Sequence, residues 1–495
     1  MLGNINYKSK KIGWGGEIFT KKPLFTINLY NERMNITQLL ADITPTKIDL
    51  EINGLCLNTH NAQTGDLFIA LQGETTHGIN HIERAIEKGC VAVLVDSHDL
   101  ECAIPVVRIE NLKQYLPALA SAYYSQATKV EVIGVTGTNG KTSVGYFISQ
   151  MLSELGIKNG FIGTLGISNS DVASANTTPD IFTLYKALHQ YHLDNINTAV
   201  LEVSSHGLDQ NRVAGLNFKQ AIFTNLTQDH LDYHQTLDEY RQVKLKLFSF
   251  DSIQSVIINQ DDAYHQDFLD ASKGKKQTTY SIKDFEKITI NEQGFLCQLD
   301  NFVFEIPLLG KFNLSNVLAA FNSVEQLGFS REGIIPLLSR LFPPLGRMQK
   351  IKKALAWVDY AHTPDALANA ITTLKEHHPE HKIRIVFGCG GNRDKSKRAK
   401  MGKIASKLAD TIVLTNDNPR KEDPQAIIND ILSGIDDSFE LDITLDRQLA
   451  IETAITTLNE GECLLIAGKG HESTQEFKNK TTAFNDVEIA QNAAN

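Results

Sequence analysis

Short apolar runs rich in β-branched residues alternate with stretches of helical period along most of the chain. Residues 67–71 (LFIAL), 91–95 (VAVLV) and 106–109 (VVRI) read as strands, followed by 131–135 (EVIGV), 198–203 (TAVLEV) and 221–226 (AIFTNL). The style returns in 383–388 (IRIVFG), 411–416 (TIVLTN) and 463–468 (CLLIAG). Helical segments lie between these runs, so the pattern predicts an α/β fold with mostly parallel sheets. It is interrupted near 127–129, after the helix-like PALASAYYSQ, and again at FPPLGRM (342–348), where two prolines and a glycine break it. These breaks predict domains over 34–128, 129–343 and 344–495. Residues 1–33 show no clear period, and Met34 opens a helix-like NITQLLADI. The first 33 residues therefore read as a disordered accessory extension, with Met34 an alternative or the true start.

Composition narrows the class without naming the chemistry. The length of 495 residues fits about three domains at roughly 150 residues each. With 42 % hydrophobic and 21 % charged residues, the chain is too apolar to be disordered. Its 48 Lys+Arg against 58 Asp+Glu give a net charge of −10, which argues against a nucleic-acid partner. No apolar run reaches the roughly 18 residues of a membrane span. Cys56, Cys90, Cys102, Cys297, Cys389 and Cys463 are scattered with no C-x-x-C spacing. That argues against a zinc site or a disulfide framework and fits a reducing, cytoplasmic setting.

The strongest motif is EVIGVTGTNGKTSVGYFISQMLSELG, a strand, a Gly-rich loop (Thr136–Gly140) and a helix opening at Lys141–Thr142. Glycines let backbone N–H groups approach phosphate oxygens, and a helix N-terminus adds positive potential. Gly137, Thr138, Asn139, Gly140 and Ser143 would cradle the phosphates; Lys141 would reach the β/γ-phosphates, and the Thr142 hydroxyl would ligate Mg²⁺. The strict G-x-x-x-x-G-K-[ST] pattern needs glycine at position 135, which is valine, so this is a variant loop. The spacing of Val144, Phe147, Ile148, Met151, Leu152 and Leu155 predicts one apolar helix face, with Gly156 just past the end.

Other residues carry weaker signals alone. Glu202 ends TAVLEV, where a carboxylate near a phosphate loop can hold Mg²⁺ directly or through water, and His230 in QDHLDYH is a further candidate ligand. GCGGNR (388–393) fails the G-x-G-x-x-G fingerprint at Arg393, which favours a Rossmann-like sheet without dinucleotide. DNPR (417–420) reads as a turn at the C-terminal edge of a sheet, where ligands of open α/β sheets bind. Arg393 and Arg420 can pair with a carboxylate and Glu472 with an ammonium, which suits a long amino acid with a distal amino-acid head.

Taken together, TGTNGKTS, NTTPD (176–180), EVSSHGLDQNRV (202–213), TNLTQDHLDYHQTLDEYRQVK (224–244), GKFNLSNVLAA (310–320), LGRMQ (345–349), DYAHTPDAL (359–367), GCGGNRDKSKR (388–398), DNPR and AGKGHE (467–472) resemble, in order, the Mur ligase family of ATP-dependent amide-forming enzymes. The resemblance implies a UDP-substrate-binding α/β domain, a central P-loop ATPase-like domain and a C-terminal Rossmann-like domain that binds the incoming amino acid. It implies addition of meso-2,6-diaminopimelate to UDP-N-acetylmuramoyl-L-alanyl-D-glutamate through an acyl phosphate, with ATP as co-substrate and Mg²⁺, by a monomer serving peptidoglycan synthesis. By residue, it implies Thr142, Glu202 and His230 as magnesium ligands, and Asn313, Arg347 and Asp359 around ATP. Asn176, Thr177, Thr178, Ser204, Gln210 and Arg212 would contact the muramoyl-dipeptide, and Leu57, Thr59, Glu74, Thr75 and Thr76 its UDP end. Arg393, Asp417, Asn418, Pro419, Arg420, Gly468 and Glu472 would bind diaminopimelate. Lys244 matches the family lysine that carries a carbamate; read alone, with Lys246 beside it, it is a solvated lysine.

The chain departs from the family at Asn58-Thr59-His60, where Asp-Ser-Arg is frequent, and at His77-Gly78, where Asp-Gly is common; His60 and His77 read by default as surface residues. Three other readings compete. A folate polyglutamylating ligase lacks the α/β pattern seen here at 54–110. A P-loop GTPase, kinase or transport ATPase would carry an NKxD motif or an Asp-type Walker B, and EVSSHG stands instead. A non-catalytic nucleotide-binding scaffold has no need of Lys141, Thr142, Glu202 and Lys244 together.

Overall fold

The computed structural model describes residues 33–73, 76–96, 100–170, 176–227, 229–436, 439 and 441–495. The extension up to residue 32, and Glu74 and Thr75, lie outside the described residues. Three mainly parallel sheets carry the described chain. The first is four-stranded and wholly parallel, in the order Gly54–Cys56, Asp66–Ala70, Ala92–Val95, Val106–Arg108. The second runs Lys276–Tyr280, Ser255–Asn259, Phe218–Phe223, Glu131–Thr136, Thr198–Glu202, Asn159–Gly163, closed by the short antiparallel Gly166–Ile167. The third runs Gln349–Lys350, Ala356–Asp359, Glu462–Ala467, Lys382–Phe387, Thr411–Leu414, Leu441–Ile443, with only its first strand antiparallel.

All nine apolar runs read from sequence fall on strands of these sheets, as the α/β expectation requires. The run at 221–226 is displaced, since its strand is Phe218–Phe223. Lys219 and Gln220 mask its start, and Thr224 and Asn225 leave the ladder to bind the phosphate loop. A small antiparallel sheet, Lys287–Asn291, Gly294–Leu299 and Phe302–Ile306, is an addition that the parallel pattern does not announce.

The helix Lys141–Glu154 corrects one expectation. It is not amphipathic: every residue from Thr142 to Leu152 is buried. The central sheet covers one side and the helix Lys311–Gln326 packs on the other. Its polar positions are therefore satisfied internally, as where the Gln150 amide donates to the Phe342 carbonyl at 2.9 Å and accepts the Phe342 N–H at 3.1 Å.

One apolar core draws residues from Ile36 to Phe268 and joins the first sheet to the central one through the helix Ile181–Leu193. The third sheet has its own cores. Ile385, Phe387, Ile412 and Leu414 face one side and Val386, Val413, Leu464 and Ile466 the other, as the two-residue period of a strand demands. Buried His377 links the third sheet's helix Pro364–His377 to the small antiparallel sheet. Its Nδ1 donates to the Asn291 carbonyl at 2.7 Å, and its Nε2 accepts the Gly310 N–H at 3.1 Å.

Candidate active site

The C-terminal ends of the central strands gather the first group of functional side chains. Gly137 (φ 149°) and Gly140 (φ 85°) shape the loop after Glu131–Thr136. A Cβ at Gly137 would lie 1.9 Å from Thr224 Oγ1, and one at Gly140 2.5 Å from Asn316 Oδ1, so neither position has room for a side chain. Gly140 caps the helix Lys141–Glu154 without a side-chain bond, leaving first-turn N–H groups available to an anion. Thr138 is buried against Tyr240, and the Asn139 N–H donates to Asn225 Oδ1 at 2.9 Å. Ser143 is buried in the first turn. Lys141 Nζ donates to the carbonyls of Gly137 (2.9 Å) and Thr138 (2.8 Å). Burial pulls its pKa below the usual lysine value, while Glu202 and Asp229 oppose that shift.

Glu202 is fully buried at the end of its strand. It accepts from Thr142 Oγ1 at 2.9 Å, from the Thr164 N–H at 2.9 Å and from Thr164 Oγ1 at 3.1 Å. Burial raises its pKa, with Lys141 pulling the other way. A buried carboxylate with raised proton affinity beside a hydroxyl is a donor set that suits a hard cation.

The residues assigned to the muramoyl-dipeptide meet beside Glu202. Thr178 Oγ1 donates to the Glu202 carbonyl at 2.8 Å and contacts Ser204 Oγ at 2.9 Å. Arg212 Nη1 donates to the Thr178 carbonyl at 2.8 Å, and its Nε donates to Gln210 Oε1 at 3.0 Å. Thr177 Oγ1 lies 3.1 Å from Thr164 Oγ1, and Asn176 directly precedes it. Sequence-distant segments at 164, 176–178 and 202–212 thus form one polar wall.

Lys244 is not a solvated lysine: it is 1 % exposed on the helix Leu237–Phe248. Its Nζ donates to the Gly137 carbonyl at 3.0 Å and sits 4.5 Å from the Tyr240 ring centre. Burial, reinforced by Lys141, pushes its pKa well below the usual lysine value. His230 stands differently from Thr142 and Glu202. Its side chain is 46 % exposed, 3.5 Å from Asp229, with its ring against His206, and it shares no hydrogen bond with either proposed co-ligand. Its φ of 52° is a left-handed conformation uncommon for histidine, turning the backbone at the cleft wall.

Arg347, Asp359 and Asn313 occupy the passage to the third sheet. The Asp359 carboxylate accepts the N–H groups of Met348 (2.7 Å) and Ala361 (2.9 Å). Burial raises its pKa against the opposing charge of Arg347. The Arg347 guanidinium lies 4.7 Å over the Tyr360 ring, and its charge reaches Lys141. Asn313 is buried and donates to the Leu309 carbonyl at 2.8 Å.

Facing this group, a cleft of about 730 Å³ opens at the C-terminal edge of the third sheet. Its walls carry Arg393, Asp417, Asn418, Arg420, Gly468 and Glu472, with Asp229 and His230 closing it from the central side. Arg420 (φ 53°) is held by Glu476 (Nε–Oε2 2.6 Å) and the Gly391 carbonyl (3.0 Å). Glu472 accepts from Lys469 Nζ at 2.7 Å and Asn418 Nδ2 at 2.9 Å, and its pKa is lowered by Lys469 against the effect of burial. Burial raises the pKa of Asp417 despite Arg447 and Lys469. Pro419 fixes the turn between Asn418 and Arg420, and its carbonyl is 2.0 Å from where a Cβ on Gly391 would be.

On the first sheet, Leu57 and buried Thr59 follow the strand Gly54–Cys56, and Thr76 follows Asp66–Ala70, so all three lie at the C-terminal edge. The Thr76 hydroxyl accepts from Asn80 Nδ2 at 2.9 Å. His77 is more than a surface residue: its Nδ1 caps the Ile79 N–H at 3.1 Å, and Nε2 is 3.2 Å from Asp96. His60 is exposed and pairs with Asn58.

Sequence reading missed several participants. Thr164 follows a short strand too glycine-rich to stand out. Asp229 adjoins His230 in the motif already singled out, and Tyr240 precedes Lys244 by one helical turn, the spacing that puts both on one face. Lys469, buried inside AGKGHE, organises Asn418 and Glu472.

Comparison with known proteins adds lineage to this geometry. The "Mur ligase family, catalytic domain" profile matches residues 51–124, "Mur ligase middle domain" 135–324 and "Mur ligase, glutamate ligase domain" 346–470. A Chromobacterium violaceum protein named UDP-N-acetylmuramoyl-L-alanyl-D-glutamate--2,6-diaminopimelate ligase is 37 % identical over 470 residues, 90 % of this chain and 95 % of that protein. The like-named protein of Wigglesworthia glossinidia brevipalpis is 38 % identical, covering 92 % of this chain and 97 % of its own length. A solved structure of a ligase with that name aligns at a TM-score of 0.63 and 34 % identity, covering 93 % of this chain and 99 % of that one. With the phosphate loop, the buried acid and the third-sheet cleft in matching order, the chain belongs to the Mur ligase family.

Proposed function

We propose that the chain is the ATP-dependent ligase that joins meso-2,6-diaminopimelate to UDP-N-acetylmuramoyl-L-alanyl-D-glutamate, the reaction classed EC 6.3.2.13, in the cytoplasmic assembly of peptidoglycan. It thereby serves cell-wall biogenesis, cell shape and division. The observation that carries this reading is the meeting of two charged sites. Half-buried Lys141 and the buried Glu202 and Lys244 lie around the phosphate loop, and a cleft beside them presents Arg393 and Arg420 with Asp417 and Glu472. A diamino dicarboxylic acid needs both signs from its site, whereas a lysine acceptor brings only one carboxylate to the two arginines.

In the proposed reaction the substrate carboxylate attacks the γ-phosphorus and ADP leaves. The acceptor amine then attacks the acyl carbon, phosphate departs, and the amine loses a proton. Both steps bring anions together, so the protein acts through positioning and charge neutralisation. Lys141 and the loop N–H groups would hold the phosphates, with Arg347 over them; Asn313 and Asp359 would frame the nucleoside. The wall of Asn176, Thr177, Thr178, Ser204, Gln210 and Arg212 would align the dipeptide, while Leu57, Thr59 and Thr76 would meet the UDP end. Thr142 and Glu202, with His230 completing the set, would hold a Mg²⁺ ion that neutralises phosphate charge. A carbamate on Lys244 is supported by burial, which lowers the pKa of its amine well below the usual lysine value and so favours the neutral form that reacts.

The test is phosphate release from ATP with UDP-N-acetylmuramoyl-L-alanyl-D-glutamate, with and without meso-diaminopimelate. Release that requires both substrates is expected. A preference for lysine as acceptor by more than about tenfold, or release driven by a folate acceptor, would overturn the assignment.

A further inference from the structure

On the edge of the third sheet remote from the amino-acid cleft, three side chains of metal-ligand type meet. His378 is the C-cap residue of the helix Pro364–His377, and His381 lies in the following turn, its N–H bonded to the His378 carbonyl at 3.0 Å. Cys463 is the second residue of the strand Glu462–Ala467. One ligand atom from each lies within 4.8 Å of the others. Cys463 stands at the N-terminal end of a strand whose other end leads to Gly468 in the cleft, about 16 Å away at 3.3 Å per residue.

The histidines have no partner that accounts for their burial. His378 is 1 % exposed, and both its ring nitrogens are buried without a hydrogen bond; His381 Nδ1 is likewise unpartnered. A buried imidazole ordinarily donates from one nitrogen and accepts at the other. The preceding residue shows that rule obeyed, since both ring nitrogens of His377 are satisfied by Asn291 and Gly310. His378 instead lies 4.9 Å from the Trp357 ring and 5.6 Å from His381, measured between ring centres. The charges that reach the cluster are Glu292, on the hairpin turn of the small antiparallel sheet, and Lys350.

We propose that His378, His381 and Cys463 form a site for a late first-row divalent cation of the Zn²⁺ type, separate from the catalytic magnesium. Two imidazoles and a thiolate are the donor set that borderline-soft cations select over Mg²⁺, which prefers oxygen. Binding converts Cys–SH and M²⁺ into Cys–S–M⁺ and releases one proton to solvent, so no redox partner is required. A fourth ligand, if present, would be water. Because the site adjoins the His377 link and lies far from the cleft, its role is structural, pinning the helix end to the start of a central strand.

The full-length protein, stripped with a chelator, is titrated with Co²⁺ in the presence of excess Mg²⁺. One Co²⁺ per chain is expected, with a thiolate-to-cobalt charge-transfer band in the near ultraviolet that Zn²⁺ bleaches. Cys463→Ser should abolish the band, and Cys102→Ser, in a loop beside the first sheet, should leave it intact. His381→Ala, at a half-buried turn position less apt to unfold the domain, should weaken binding by about tenfold or more. Absence of the band, or its persistence in Cys463→Ser or at full affinity in His381→Ala, would overturn the proposal. Ligase turnover does not enter this readout, so the site and the proposed reaction stand or fall separately.

Discussion

Arg447 and Asp486 make a fully buried ion pair beneath the third-sheet cleft, and both side chains are 0 % exposed. Arg447 Nε and Nη2 donate to the two Asp486 oxygens at 2.8 and 2.7 Å, while Nη1 and Nη2 also donate to the carbonyls of Asn416 (3.3 Å) and Ala467 (3.0 Å). These carbonyls immediately precede Asp417 and Gly468, so one guanidinium ties two loops of the cleft to a C-terminal helix. Arg447→Met leaves a buried carboxylate and two carbonyls without their donor. Removing one member of a buried pair costs about 3–5 kcal/mol. If the region around the third sheet, some 150 residues, unfolds as a unit, that corresponds to a loss of roughly 6–20 °C in unfolding temperature. Asp486→Asn should cost less, because the carbonyl bonds survive.

A double-mutant cycle separates the pair from its surroundings. The double variant Arg447→Met/Asp486→Asn removes both charges, so its loss should fall short of the sum of the single losses by more than about 1.5 kcal/mol. Denaturant unfolding supplies these energies, and steady-state kinetics supplies a second readout: KM for diaminopimelate should rise while KM for ATP holds. Single losses both under about 1 kcal/mol, or strict additivity, would refute the assignment of this pair as the cleft's foundation.

Three further outcomes are expected. Lys244→Ala should abolish ligation, with activity partly restored by added short carboxylates; a fully active variant would remove the carbamate from the reading. Arg420→Ala should weaken diaminopimelate binding by about 2–4 kcal/mol, roughly 30- to 1,000-fold in KM, with the UDP-substrate KM unmoved. Glu202→Gln should be inactive yet more stable at pH 8. The folded-state pKa of Glu202 is raised by burial, so its contribution is favourable below the unfolded carboxyl pKa and is lost as pH rises through the folded value. The stabilising effect of Glu202→Gln, followed by thermal unfolding, should therefore shrink toward pH 4, and a gain that grows on acidification would contradict the sign.

The α/β class was legible because strands buried on both faces are written as unbroken apolar runs, and the phosphate loop because glycine spacing is local. Lys244 was not legible by itself. DEYRQVKLKLF has the low mean hydropathy of a surface helix, yet Tyr240, Val243, Lys244, Leu247 and Phe248 are its buried residues. The lysine is inside because it lies on the apolar side, one turn beyond Tyr240, a placement that periodicity could have shown. Thr164, Arg447 and Asp486 were out of reach for a different reason. Each acts on a partner more than 30 residues away, and no sequence spacing encodes which strand lies beside which. His378, His381 and Cys463 share this property: 82 residues separate the second histidine from the cysteine, so the scattered thiols hid a cluster that only the sheet register assembles.

The phosphate loop also explains how an acidic chain, with net charge −10, could handle polyphosphate ligands. The Gly137 carbonyl accepts from both Lys141 at 2.9 Å and Lys244 at 3.0 Å. Two ammonium groups sharing one buried carbonyl repel, and the conflict resolves unequally. Lys141 has Glu202 and Asp229 to retain its charge, whereas Lys244 faces the field of Lys141 with only Asp229 against it, and loses its proton more readily. A neutral, buried amine is the species that reacts with CO₂, forming an N–C bond and releasing one proton. The product is an anion, so the same proximity that destabilised two cations now holds an opposite-charge pair around the loop. On the proposed reading, the lysine pair is a charge conflict in the unmodified protein that modification relieves. That is why a small carboxylate, and not a small amine, should restore Lys244→Ala.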